Sequence, residues 1–469
     1  MESLPTVLLK PGEADRIVAG HPWIYAGEIL RVTHHGDGAA PPPDGDLVQV
    51  KDHRQRFLGV GFFNSKSKIH VRVLSPERIE VNEAFFEERI RAALAVRQKH
   101  LPTATSFRVV NAESDFLSGL IVDKYRWGEA TDEPARGDRP LLRPSLGSFG
   151  PAGGSYGPAR ARPTESGQDV LVVQISSLGM DRRKAQIVAA LQNIFSPRAI
   201  LERSDAMSRK FEGLAEANGI LAGELGGRTA MSESSSGEQV ADKAVRAPSV
   251  TVNLNGLKFE ADLSAGHKTG LYLDQQANYQ AVARFAQGAQ VLDCFSFAGG
   301  FGLHAARAGA AHVHLLEQSA EAIAASQRNA AANGLGDKCS FETVNVFDWL
   351  KANTAAKPHE KIVPRFDLII LDPPSFTRNR ASVPDALRGY KEIHLRALKL
   401  LKPGGVLATF CCSHHVSAGL FQDTLLSAAY DTRHVLRRVA SYAQSPDHPI
   451  IPMIPETEYL KGFAFELVR

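Results

Sequence analysis

"VLDCFSFAGGFGLHAA", Val291 to Ala306, decides how the rest of the chain is read. A short apolar run gives way to a turn with two glycines, and an Ala-rich stretch follows at once. That pattern is a strand, a tight turn and a helix start, where Gly299 and Gly300 let a ligand approach the backbone closely. The spacing is not the dinucleotide G-x-G-x-x-G, and a glycine pair after a strand often marks only a tight turn. Its surroundings are more specific. "AHVHLLE", "FDLIILD" and "GGVLATF" are further short apolar runs, with amphipathic or Ala-rich stretches between them. From about residue 250 onward, strands therefore alternate with helices, which predicts a doubly wound parallel sheet.

In such a sheet, ligands and reacting groups gather beyond the carboxyl ends of the strands. Glu317 ends the second run, about 24 residues beyond Asp293, where a carboxylate can accept hydrogen bonds from a ribose diol. Ser319 is placed to cap the helix that Asn333-Gly334 closes. "FETVNVFDW" reads as a third strand and brings Asn345 and Asp348 to the same edge. Asn345 suits either an adenine edge or the capping of a loop. "IILDPPSF" and "LATFCCS" end side by side, which sets Asp372 near Cys411 and Cys412. The chain has 469 residues and only 4 cysteines, so half of its thiols sit at this one strand end.

Upstream the pattern is different. "DLVQVKD", "FLGVGFFN" and "IHVRVLS" predict a small β-barrel over residues 1–77. Residues 78–225 predict an α+β unit. It has a helix over "AFFEERIRAALAVRQKHL" (Ala84–Leu101), strands in "FRVVNAE", "SGLIVDKY", "VLVVQIS" and "AILERS", and a helix in "RRKAQIVAALQNIF". Residues 127–169 are rich in Gly, Pro, Arg and Ser, and 226–248 contain "SESSSGEQ". Neither stretch holds enough apolar surface to offset its ordering entropy, so 127–169 reads as a flexible insertion and 226–248 as a flexible linker ahead of 249–469.

The hydrophobic fraction of 43% and charged fraction of 22% are those of a globular protein. No run of 18 apolar residues is present, so no transmembrane helix is expected. The N-terminal stretch lacks a secretory pattern, and four unevenly spaced cysteines make no disulfide framework. A cytoplasmic protein with reduced thiols is the expectation. A net charge of +3 permits nucleic-acid binding without demanding it. Adjacent cysteines lack zinc spacing, so no metal is expected.

Asp293 with the glycine pair, Glu317, Asn345 and "DPPSF" together resemble the class I S-adenosylmethionine-dependent methyltransferases. "AGHKTGLYLDQQ" (Ala265–Gln276), "RGYKEI" (Arg388–Ile393), "TFCCS" and "DHPIIPMIPETEYLKGFAF" (Asp447–Phe465) narrow this. They resemble the bacterial large-subunit rRNA cytosine-C5 methyltransferases of the RlmI type. "GHPWIYAGEI" (Gly20–Ile29) resembles that family's PUA domain, a small RNA-binding barrel, and "ESDFLSGLIVDKY" its central domain. The likeness spans nearly the whole chain apart from the two insertions. It implies a multidomain α/β protein: a PUA-like barrel, a central α+β domain and a Rossmann-like methyltransferase domain.

The resemblance also implies roles. S-adenosylmethionine would lie over Asp293, Phe295, Ser296, Gly299 and Gly300. Glu317 would hold its ribose and Asn345 its adenine, and Asp372 and Pro373 would also contact it, with Asp372 between cofactor and target base. The family's Thr-Phe-x-Cys-Ser selects Cys412 as nucleophile and leaves Cys411 to packing. Lys268, Thr269, Phe376, Arg388, Tyr390 and Lys391 are second-rank candidates for RNA contact. Two positions depart from the family: Gln276, where Arg is frequent, and Asn345, where Asp is common. The implied partner is RNA, chiefly large-subunit rRNA, with no membrane; monomer and homodimer both stay open. Two readings compete with cytosine-C5 chemistry: methylation of a guanine or an exocyclic amine, and a non-catalytic RNA-binding assembly factor.

Overall fold

The computed structural model describes residues 4–33, 41–127, 169–225, 249–263, 270–355, 362–377 and 379–469. The segments read as insertion and linker lie outside them, but for Trp127 and Asp169 at the ends of the first.

Six strands between Thr6 and Ser75 form the first sheet, around Val7, Leu9, Ile24, Val48, Val50 and Val71. A five-stranded sheet follows, made of Phe107–Asn111, Leu120–Arg126, Asp169–Ile175, Ala199–Ser204 and Ala217–Gly223. Helices Glu83–His100 and Lys184–Phe195 pack on it through Phe86, Ile90, Ile187 and Leu191. Asn82 caps the first helix by accepting from the Phe85 amide at 3.1 Å.

Basic side chains join these two units. Arg72 donates to Glu212 at 2.9 Å, and Arg182 to Asp46 at 2.8 Å. Lys184 pairs with Glu202 at 2.8 Å inside the central unit.

The third sheet positions the site. Its strands are β1 (Gln290–Cys294), β2 (His312–Glu317), β3 (Cys339–Thr343), β4 (Phe366–Leu371), β5 (Leu401–Cys411), β6 (Leu436–Ala443) and β7 (Lys461–Leu467). They lie in the order β3-β2-β1-β4-β5-β7-β6, with β7 antiparallel to both neighbours. The order reverses between β1 and β4, where a doubly wound sheet opens a crevice for ligands. Helices α1 (Gln276–Ala283), α2 (Gly300–Arg307) and α3 (Ala320–Ala332) cover one face. Helices α4 (Val346–Thr354), α5 (Val383–Leu400) and α6 (Ala418–Thr432) cover the other.

Strand alternation explains the two cores. Leu368 and Ile370 point to the first, and Ile369 and Leu371 to the second. With both faces buried, these strands read as continuous apolar runs. A hairpin, Ser249–Leu254 with Leu257–Asp262, adds Val252, Leu254 and Phe259 to the first core. One expected strand is shorter than its sequence suggested. β3 stops at Thr343, and "VFDW" opens α4 because Asn345 caps it. Among the described residues no helix is long and apolar enough to cross a membrane.

His394 of α5 is fully buried, with Nε2 2.8 Å from the Thr409 hydroxyl of β5. Burial pushes its pKa down to about 3. The unfolded chain binds this proton below its ordinary pKa of about 6.5, whereas the folded chain does not. The stabilisation is therefore complete above that pH and declines as pH falls from there toward 3. Chemical denaturation of His394→Gln between pH 7 and 4.5 is expected to show a shallower loss of stability than the native protein. Parallel slopes would contradict this.

Candidate active site

The loop after β1 is bent tightly. Phe295 and Phe297 both have left-handed backbones, with φ of 63° and 47°, and Gly299 has φ of 86°. Two non-glycine residues in that region within one turn are costly, and such strain persists where surroundings over-determine it. Here they do. The Ser296 amide donates to the Leu316 carbonyl at 3.0 Å, and the Phe297 amide to Glu317 Oε2 at 3.1 Å. From α3, Ser326 donates to the Phe297 carbonyl at 2.8 Å, and Asn329 to the Ala298 carbonyl at 3.0 Å.

The glycines have reasons beyond ligand approach. A Cβ on Gly300 would stand 2.5 Å from the Tyr279 ring, so close packing of α1 against α2 excludes one. Gly299 is required by its positive φ.

Asp293 is buried under this loop. Its Oδ2 accepts the Gly302 amide at 2.8 Å, whereas its Oδ1 has no partner. Burial, helped by the negative charges of Asp372 and Glu317 and opposed by the Gly302 bond, pushes its pKa up to about 8. The Ser296 hydroxyl is also buried without a partner. Buried polar atoms are normally satisfied, so two such atoms beneath one strained loop fit a ligand rich in polar groups.

Glu317 sits at the end of β2. Its Oε1 accepts the amides of Gln318 at 2.8 Å and Ser319 at 3.1 Å, and Oε2 accepts Phe297. These bonds fix the carboxylate, which keeps acceptor capacity for a diol. Asn345 Oδ1 accepts the amides of Phe347 at 3.0 Å and Asp348 at 3.3 Å. Helix capping thus occupies the oxygen and leaves the amide NH₂ free to donate.

Asp372 lies one residue past β4. Its Oδ1 accepts Gln275 Nε2 at 3.0 Å, and Gln275 Oε1 accepts Asn278 Nδ2 at 2.7 Å. Asn278 also donates to the Ala443 carbonyl at 2.9 Å. This series orients the Gln275 amide so that it donates to Asp372. Sequence reasoning missed both residues. It had dwelt on the neighbouring Gln276, which is buried and donates to the Ser106 carbonyl of the central unit at 3.3 Å.

Phe376 is half-buried between Phe347 and Tyr390, with ring centroids 5.6 Å and 4.6 Å away. Tyr390 is fully buried, so it supports Phe376 from below and does not face solvent. Arg388 is exposed beside Asp385, and Lys391 pairs with Asp431 at 2.7 Å. Pro373 is buried at the start of the loop. Lys268 and Thr269 lie outside the described residues.

The two cysteines separate by face. Cys411, the last residue of β5, is fully buried in the second core. Cys412 follows the strand, is half-buried and packs at the margin of the first core. The Thr377 and Ser413 hydroxyls hydrogen-bond, which joins the loop carrying Asp372 to the turn carrying Cys412. His414 packs against the Tyr459 ring at 5.6 Å, and His415 is exposed.

A protein of Shewanella denitrificans named ribosomal RNA large subunit methyltransferase I is 34% identical to this chain, over 97% of it and 98% of the relative. The chain belongs to this family. Another member, from Klebsiella pneumoniae, is 32% identical over 98% of each chain. A family described as S-adenosylmethionine-dependent methyltransferase matches residues 194–455, and one described as PUA-like domain matches residues 7–76. Two solved structures share the fold across 98% of this chain and 99% of theirs. One is described as a methyltransferase complexed with SAH, at a TM-score of 0.70 and 18% identity. The other is described as a SAM-dependent methyltransferase from Streptococcus mutans, at 0.69 and 17%.

The protein is thus an S-adenosylmethionine-dependent RNA methyltransferase with a PUA-like N-terminal domain. Its central unit is wired into the catalytic one. The buried Arg97 clamps both oxygens of Asp115, at 2.5 and 2.7 Å, and donates to the Asp447 carbonyl at 2.8 Å. The Ser445 amide donates to the Asp274 carbonyl at 2.7 Å, and the Tyr459 hydroxyl to Asp274 Oδ2 at 2.7 Å. Asp274 directly precedes Gln275, so the contact reaches the residue that holds Asp372.

Removing an acceptor from the proposed ribose position is expected to weaken cofactor binding. A hydrogen bond to a charged group contributes about 1.5–3 kcal/mol, so Glu317→Gln should raise the Kd for S-adenosylhomocysteine about tenfold or more. Calorimetry checks this, and an unchanged Kd would remove Glu317 from the cofactor site.

Proposed function

We propose that this methyltransferase forms 5-methylcytosine in large-subunit rRNA, with Cys412 as nucleophile and Asp372 as the base-orienting group. The observation that carries the reading is the joined pair of loops. A half-buried thiol stands just beyond β5, and its turn is tied through Ser413 and Thr377 to the loop of Asp372.

Carbon 5 of cytosine is a poor nucleophile. The Cys412 thiolate forms a bond to carbon 6, and the displaced electron pair makes carbon 5 enamine-like. Asp372, held by Gln275, hydrogen-bonds the base at its nitrogen 3 edge and stabilises the charge that develops there. S-adenosylmethionine, when bound, supplies the electrophilic methyl group. Loss of the carbon 5 proton to water then returns an electron pair that expels Cys412 from carbon 6. Phe376, backed by Tyr390 and Phe347, offers a flat apolar surface for a base taken out of its stack. We assign cofactor contact to Asp293, Ser296 and Glu317, whose orphaned or acceptor atoms surround the strained loop. The PUA-like barrel grips RNA through phosphates and shape, and the protein works in the cytoplasm with reduced thiols.

Isotope-labelled methyl transfer to unmodified large-subunit rRNA, followed by digestion to nucleosides, tests the product. Label in 5-methylcytidine is expected. Label in a methylguanosine or an N-methylated base would replace the reading with amine or guanine chemistry. Absence of transfer, with no S-adenosylmethionine binding, would leave a non-catalytic RNA-binding protein.

A further inference from the structure

Residues 444–460 join β6 to β7, and hydrogen bonds hold this segment from within and from outside. The Gln444 amide donates to the carbonyls of His448 at 2.8 Å and Thr457 at 2.7 Å, and its oxygen accepts the Tyr459 amide at 3.2 Å. The fully buried Asp447 accepts the Arg108 amide of the central unit at 2.9 Å. The segment is therefore seated on the central unit, and it ends by delivering Tyr459 to the site.

Tyr459 meets both loops that carry the proposed chemistry. Its hydroxyl donates to Oδ2 of the buried Asp274 at 2.7 Å. Its ring packs against His414, in the turn after Cys412, with centroids 5.6 Å apart. Burial and the negative charge of Asp274 push the phenol's pKa up, so it stays protonated and donates. Such a bond to a carboxylate is stronger than a neutral one. Asp274 is the middle residue of the turn Leu273–Gln275, and its carbonyl accepts the Ser445 amide at 2.7 Å. Side chain and carbonyl are thus both fixed on the residue before Gln275, whose Nε2 donates to Asp372 Oδ1 at 3.0 Å.

We propose that Tyr459 is a positioning residue for Asp372: it fixes Asp274, which sets the Gln275 amide against the Asp372 carboxylate, while its ring backs the turn after Cys412. This rests on the reading of Asp372 as a group that meets the target base. A buried carboxylate needs hydrogen-bond donors in any case, so a purely structural hydroxyl would serve Asp274 and affect stability alone. A positioning hydroxyl acts on turnover, because a small misplacement of a reacting group costs as much as about 10²-fold in rate.

The test is a double-mutant cycle on the full-length protein, with large-subunit rRNA as substrate and total methyl transfer as the readout. Tyr459→Phe keeps the ring and removes only the hydroxyl. It is expected to lower kcat about tenfold, with KM for RNA and the Kd for S-adenosylhomocysteine within about twofold of native. In a Gln275→Leu background the same substitution should change kcat less than about twofold, because the path to Asp372 is already cut. A native kcat in Tyr459→Phe would overturn the proposal. So would an equal loss in both backgrounds, or a raised KM with kcat intact. If Tyr459→Phe does not bind S-adenosylhomocysteine, Asp274→Asn, which keeps the shape and weakens the acceptor, carries the same two expectations. Asp372→Ala is measured alongside. An intact kcat there sinks the reading of Asp372, whereas a lost kcat there with a native Tyr459→Phe sinks the positioning role alone.

Discussion

Cys412→Ala is expected to lower methyl transfer by at least about 10³-fold while leaving S-adenosylhomocysteine binding within a few-fold of native. The thiol is the group that makes carbon 5 reactive, so its loss removes the covalent route and not merely a contact. Cys411→Ala is the matched control. Cys411 is fully buried in the second core and points away from Cys412. Its removal leaves a small cavity, with a cost of about 1 kcal/mol in stability and little change in turnover. Single-turnover assays on both variants, with denaturation curves alongside, check the contrast. Equal losses of activity would return the nucleophile assignment to an open choice between the two.

Asp372→Ala is expected to reduce kcat about 10²- to 10³-fold, the usual effect of deleting a group aimed at developing charge. Affinity for S-adenosylhomocysteine should fall far less, because Glu317 and the loop after β1 carry most of the proposed cofactor contact. Gln275→Leu should reproduce part of this loss, since it removes the donor that holds Asp372 Oδ1 at 3.0 Å. Steady-state kinetics separate the outcomes. A fall in cofactor affinity with kcat intact would make Asp372 a binding residue alone.

The sheet that carries the site was legible because its strands are buried on both faces. "FDLIILD" and "GGVLATF" are continuous apolar runs, and the helices between them are amphipathic. The strand ends then followed, and with them the placement of Asp293, Glu317, Asp372 and Cys412. Other elements were opaque for physical reasons. Ala217–Gly223 is Gly-containing and largely exposed, so it shows no apolar alternation. β6 carries Arg437 and Arg438 on an edge strand and lacks the continuous apolar run of the inner strands. Asn345 was ambiguous because a side chain that caps a helix and one that meets a base have the same composition. Gln275 and Asp372 stand 97 residues apart, and no local pattern announces that hydrogen bond. The glycine pair was read as room for a ligand to approach the backbone, but Gly300 is also demanded by Tyr279, which only the packing of α1 on α2 makes visible.

The most direct test of the central claim is a covalent trap. Native protein, Cys412→Ala and Cys411→Ala are each incubated with S-adenosylmethionine and large-subunit rRNA whose cytosines carry fluorine at carbon 5. Fluorine cannot leave as a proton does, so the bond from sulfur to carbon 6 persists and survives denaturation. The account predicts a denaturant-resistant protein–RNA adduct with the native protein and with Cys411→Ala, and none with Cys412→Ala. No adduct from the native protein, alongside methyl transfer to unfluorinated RNA, would contradict it.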